Sequence, residues 1–123
     1  AYIRAVNSTN SVNIDILAGS SAAFVGPQSN HPLAFQTNNT ERLRIDTSGH
    51  ITPGANGTQD LGSTSKRFAN LYTSDLDLSN EAKGGNDVDG TWGAYTIQEG
   101  EEDLFLINKR SGKKYRFMLQ EVS

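Results

Sequence analysis

Four carboxylates crowd one short stretch: Glu99, Glu101, Glu102 and Asp103. Paired carboxylates are the equipment of glycoside hydrolysis, where two face each other across a sugar at about 5–10 Å. Neighbours in a turn are not set opposite one another by sequence, so only a subunit interface could bring in the missing partner. The simpler reading is a solvated hairpin tip whose charges discourage edge-to-edge strand pairing. There is no Gly-x-Ser-x-Gly elbow and no cysteine, which removes two familiar nucleophiles and any disulfide.

Residues suited to binding are easier to find. Trp92 is the only tryptophan, and Tyr95 is close by. Carbohydrate-binding surfaces use exposed aromatics, although a lone Trp at a strand start also reads as core. Lys109, Arg110, Lys113, Lys114 and Arg116 make the only basic cluster. It could touch anionic lipopolysaccharide, or it could be a solvated hairpin balanced by the glutamates. Trp92, Tyr95, Lys109 and Arg110 are therefore the candidate glycan or surface contacts.

Metal and phosphate chemistry has weaker footing. Asn86-Asp87-Val88-Asp89-Gly90 resembles half a calcium loop, but an EF-hand needs a bidentate Glu about six residues after its Gly. Thr96 stands at that position. Asp75, Asp77 and Ser79 alternate along a strand and could gather a cation in an oligomer; a polar outer face is the default. His31 and His50 are separate, each a loop or turn residue unless symmetry mates meet on a three-fold axis. Gly112-Lys113 lacks the upstream Gly of a P-loop. No catalytic residue, metal ligand or cofactor is assigned.

The elements that must position these residues read as short strands. The chain has 123 residues, enough for one domain or two very small ones, and 35% are hydrophobic. Mean hydropathy is -0.53. Such a chain has trouble sealing a core alone, because small domains bury a small fraction of their surface. Val, Ile, Leu, Phe and Tyr clusters argue against disorder for most of the length. The remaining route is burial against copies of the same chain. With a net charge of -3, nothing in the chain suggests a nucleic-acid partner, which would want a basic stripe. No apolar run reaches the roughly 18 residues of a membrane span. No signal peptide is visible, and Ala1 in place of an initiator Met reads as a fragment or processed product.

Up to residue 56, strands are expected at Tyr2 to Val6, Val12 to Ile16, Ala22 to Val25, Leu33 to Phe35 and Arg42 to Asp46, with a brief return at Ile51. Val12, Ile14 and Ile16 alternate with Asn13 and Asp15, the pattern of a half-buried strand. Thr47-Ser48-Gly49-His50 reads as a turn, with Gly49 free to take φ > 0. Between 57 and 91, Asp60 is expected to cap a turn. Phe68, Leu71 and Tyr72 share helical spacing, so a single helical turn N-capped by Ser65 competes with an irregular segment. A strand through Tyr72, Leu76 and Leu78 follows, then a polar linker. Residues 92–123 read as a three-stranded antiparallel meander: Trp92 to Glu99, Asp103 to Lys109 and Lys114 to Gln120. Tyr115, Phe117 and Leu119 would face inward.

Two phrases carry a family resemblance. Residues 57–72, Gly-Thr-Gln-Asp-Leu-Gly-Ser-Thr-Ser-Lys-Arg-Phe-Ala-Asn-Leu-Tyr, resemble a module of bacteriophage tail fibres: Asp-Leu-Gly, polar residues, Arg-aromatic, then Asn-aliphatic-Tyr. Residues 41–51, Glu-Arg-Leu-Arg-Ile-Asp-Thr-Ser-Gly-His-Ile, are similar to a phrase of tail-fibre and tailspike regions that commonly precedes that module, as it does here. Tyr95 to Leu119 also resembles the C-terminal end of such fibres. The resemblance implies an all-β fold of short strands and turns in an elongated, intertwined homotrimer. It implies a virion location outside the cell, other tail proteins as partners, and a host-surface glycan or lipopolysaccharide as receptor. Residues 1–56 would be shaft, 57–91 the Asp-Leu-Gly module and linker, and 92–123 the C-terminal meander. Phe68, Tyr72, Leu76, Leu78, Phe105, Ile107, Tyr115 and Phe117 would be packed inside a chain or between chains. A polysaccharide-depolymerising tailspike fragment and a monomeric carbohydrate-binding module are the alternatives.

Overall fold

The computed structural model describes all residues, 1–123. The chain is all-β, with ten strands in three antiparallel sheets and a single 3-10 turn at Glu81–Lys83. It divides into two compact units, residues 1–59 and 60–123.

The first unit holds two three-stranded sheets. β1 (Tyr2–Asn7), β2 (Val12–Ala18) and β3 (Ala23–Gly26) form one in sequence order. Asn7 closes the first hairpin by accepting the backbone N–H groups of Thr9 and Asn10 on Oδ1, an Asx turn. β4 (Leu33–Thr37), β5 (Thr40–Ile45) and β6 (Ile51–Pro53) form the other. Between β4 and β5 the loop is only Asn38-Asn39, with φ of 50° and 54°. Two central residues at positive φ make a type I′ turn, whose twist matches the flanking strands. Between β5 and β6, the Asp46 carboxylate accepts from Ser48 N at 2.8 Å and His50 N at 2.9 Å. Gly49 there has φ of 88°. Each strand expected in this region is present, within a residue or two of the expected ends.

The faces of β2 differ from expectation. The alternation is real, but Ile14 and Ile16 are 44% and 48% exposed, while Asp15 is the only fully buried side chain in the protein. Arg4, opposite Asp15 in the register, clasps its carboxylate with two hydrogen bonds of 2.6 and 2.7 Å. Asn13 Nδ2 adds a third at 2.9 Å. The 27–30 loop folds over this polar side, with Ser29 N donating to Asn13 Oδ1 and Gln28 Oε1 receiving Arg4. Chain that covers the polar face leaves the apolar one open. Ile3, Ile14, Ile16 and Val25 lie together on it by register. The second sheet has a similar face, where Leu33, Ile45 and Ile51 align across the strands, as do Phe35, Leu43 and Pro53.

The second unit holds one four-stranded sheet, order β10-β9-β8-β7. Its strands are β7 (Leu76–Ser79), β8 (Ala94–Glu99), β9 (Leu104–Asn108) and β10 (Lys114–Arg116). The expected three-stranded meander is thus extended by β7, which pairs Leu76 with Ile97 and Leu78 with Tyr95. Trp92 precedes its strand, and the last strand stops at Arg116, well short of Gln120. Leu76, Ile97, Leu106 and Tyr115 form one row across the sheet, while Ile107 and Phe105 lie on the other face with Thr96 and Gln98. The last hairpin is tight: Asn108 Oδ1 accepts from Arg110 N and Ser111 N, and Gly112 closes back to the Asn108 carbonyl.

No helical turn forms between Ser65 and Asn70. The segment bends instead about Ser63, whose hydroxyl and carbonyl both accept from Lys66 N. Ser63, not Asp60 or Ser65, therefore ties this turn. One isolated helical turn must meet its nucleation cost with a packed apolar face, and nothing within the chain covers Phe68, Leu71 or Tyr72, which are 65%, 67% and 90% exposed. Tyr72 also lies outside β7.

No apolar side chain is buried anywhere in the single chain. Of the residues read as packed, Phe68, Tyr72, Leu76, Leu78, Phe105, Tyr115 and Phe117 are all exposed, from 37% upward, and Ile107 is half-buried. Packing within one chain leaves them open.

Candidate functional site

A cavity of about 720 Å³ opens in the second unit, within the usual few-hundred to roughly 1,000 Å³ range of ligand pockets. Leu78, Tyr95 and Asn108 contribute a row across three adjacent strands, set side by side by register. Asn80, at the end of β7, accepts from Gly93 N at 2.8 Å. That bond fixes the approach to β8 and with it the backbone beside Trp92.

The Asn86–Thr91 loop contributes a second side of the cavity. Its polar groups are spent largely on its own shape. Asn86 Oδ1 accepts from Val88 N and Asp89 N, and Asn86 Nδ2 donates to Asp89 Oδ1 and Thr91 O. Asp89 Oδ1 also accepts from Thr91 N and Thr91 Oγ1. These donors, Thr91 first, hold the Asp89 carboxyl below its ordinary range. The stretch read as half a calcium loop is built as an Asx-bonded turn, with one carboxylate oxygen carrying all of Asp89's bonds.

Trp92 and Arg110 complete the lining. The guanidinium carbon of Arg110 lies 3.8 Å from the indole centroid, and its Nη1 donates to the Trp92 carbonyl at 2.9 Å. Cation–π contact and hydrogen bond together hold the indole in one place. Tyr95 OH accepts from Asn108 Nδ2 at 3.1 Å. Three of the four candidate contacts, Trp92, Tyr95 and Arg110, thus surround one cavity. Lys109 does not join them. Its Nζ meets Asp77 Oδ2 at 2.6 Å, and Asp77 belongs to the sheet face opposite Leu78 and Tyr95.

The acidic cluster is differently placed. Glu99, Glu101 and Glu102 are exposed around the β8–β9 turn, which Gly100 N closes onto the Asp103 carbonyl at 2.7 Å. Asp103 is met by Arg116 Nη1 at 3.5 Å. Asp77 pairs with Lys109, and Asp75 accepts from Gln98 Nε2 at 2.8 Å, so these alternating carboxylates have cross-strand partners. His31 Nδ1 lies 3.0 Å from Ser29 Oγ, and His50 sits in the Asp46 turn.

Asn80, Asn86, Asp89 and Asn108 line the cavity, yet sequence reasoning weighed Asn86 and Asp89 only as half a calcium loop and did not single out Asn80 or Asn108. The signal was there only locally, in Asn and Asp residues spaced for Asx turns at Asn86, Asp89 and Asn108. No helix is long and apolar enough to cross a membrane. No protein family, curated protein or solved structure matches the chain.

Proposed function

We propose that this chain is a structural and adhesive segment of a bacteriophage tail fibre. Three copies pool their apolar sheet faces into one shared core and build an elongated, intertwined rod. The segment has no catalytic activity, sits in the virion beside other tail proteins, and faces a host-surface glycan or lipopolysaccharide. One observation carries the assembly part: a chain of 123 residues forms three sheets without burying a single apolar side chain. Monomeric domains near this length bury about 60–70% of the surface their unfolded chains expose, and that leaves a core. Here Ile3, Ile16, Phe24, Phe35, Ile51 and Tyr115 are 47% exposed or more. The tandem phrases at 41–51 and 57–72 support the tail-fibre part.

Light scattering tests the assembly. A mass three times the 13.3 kDa of one chain is expected. Antibody raised against the chain should then decorate tail fibres of phage particles that carry its gene. A folded monomer at micromolar concentration, or antibody that leaves the tails bare, overturns the reading.

A further inference from the structure

We propose that the cavity between β7, the Asn86–Thr91 loop and the β9–β10 hairpin binds one uncharged pyranose unit of a glycan. The inference rests on the adhesive part of the reading above and names the site and the sugar class. A pyranose offers an apolar C–H face and a rim of hydroxyls that donate and accept. The cavity matches both features. Trp92 supplies a flat ring already immobilised by Arg110, which covers one indole face at 3.8 Å and anchors the backbone at 2.9 Å. Trp92 lines the cavity, and the sugar's C–H face packs on the part of the ring exposed there. An aromatic ring fixed before binding loses little freedom when the ligand arrives.

The polar complement is of mixed sign. Every hydrogen bond that Asp89 accepts falls on Oδ1, so Oδ2 is left to accept from a sugar hydroxyl. Tyr95 OH accepts from the Asn108 amide and keeps its own proton to donate. Arg110 uses one guanidinium N–H on the Trp92 carbonyl and retains others. One guanidinium and one carboxylate cancel in formal charge across the cavity. An acidic sugar or a phosphate would gain Arg110 but would face Asp89 as well. A neutral sugar satisfies both groups through its hydroxyls, without placing a third charge between them.

The experiment uses a built-in reporter, because Trp92 is the only tryptophan. The 123-residue chain is titrated with the methyl pyranosides of glucose, galactose, mannose, rhamnose and N-acetylglucosamine. Glucuronate and inorganic phosphate are titrated in parallel, and indole emission is followed. A saturable change with at least one neutral glycoside, and none with the two anions, is the expected result. Arg110→Met should weaken that binding about tenfold by freeing the indole. Tyr95→Phe keeps the ring and should weaken it by a smaller factor, which guards against a variant that merely misfolds. A response confined to glucuronate or phosphate overturns the neutral-sugar assignment, and silence to the whole panel overturns the site. Mass measured on the same samples separates the two proposals. A trimer blind to every sugar sinks this inference alone, whereas a sugar-binding monomer sinks the fibre assembly alone.

Discussion

Replacing Ile16 by alanine should weaken self-association far more than it disturbs the chain. Ile16 lies at the middle of β2 with 48% of its surface exposed, and its register partners Ile3 and Val25 are 71% and 56% exposed. Fully burying an isoleucine side chain contributes about 1.5–3 kcal/mol. The half that the chain leaves open is then worth roughly 1 kcal/mol to a subunit contact. In the proposed trimer, three equivalent contacts make about 3 kcal/mol, or roughly two decades in the association constant. Half-assembly concentration varies as the inverse square root of a three-body constant, so it should rise about tenfold. Sedimentation equilibrium over a dilution series reads this shift directly. Circular dichroism at high concentration checks that the strands persist. A midpoint that stays put, with the fold intact, would refute the claim that this face is shared between copies.

Other perturbations follow from particular contacts. Asp15 is held below the usual carboxylate range, first by its hydrogen bonds from Arg4. A lowered native value means its stabilisation is complete above the unfolded carboxylate value of about 3.9 and is lost as pH falls from there through the native value. Asp15→Asn should therefore lower Tm at neutral pH and flatten its fall in acid; an acid limb as steep as the parent's would count against it. Gly54 donates to the Arg42 carbonyl, and a Cβ there would collide with the Glu41 carbonyl. Gly54→Ala should cost about 1–3 kcal/mol in a denaturant melt, as overpacking does. Asn39 sits at φ of 54° in the β4–β5 turn. Asn39→Gly should be neutral or slightly stabilising, whereas Asn39→Val should cost about 1–2 kcal/mol because branched residues resist that region; equal melts for the two would contradict the turn assignment.

The sequence by itself determined where strands and turns lie, because those signals are local. Alternation at Val12–Ile16, Asp46 before Gly49, and Asn108 before Gly112 each settle a few residues without outside help. Short-range spacing at Phe68, Leu71 and Tyr72 left a helical turn and an irregular segment in competition, and the irregular one formed because the helical face lacked a surface to pack against. Only the tertiary structure decided which face of β2 is covered. That choice was made by Gln28 and Ser29, which follow β3 and fold back onto Arg4 and Asn13. The recruitment of β7 into the last sheet also depends on pairing across the intervening loop, Leu78 with Tyr95. The cavity has the same origin: Leu78, Asp89, Trp92 and Arg110 come from separate segments, and no periodicity within any one of them announces the others. Local pattern specifies backbone conformation through the nearest neighbours, whereas a site is made by contacts between residues that sequence keeps apart.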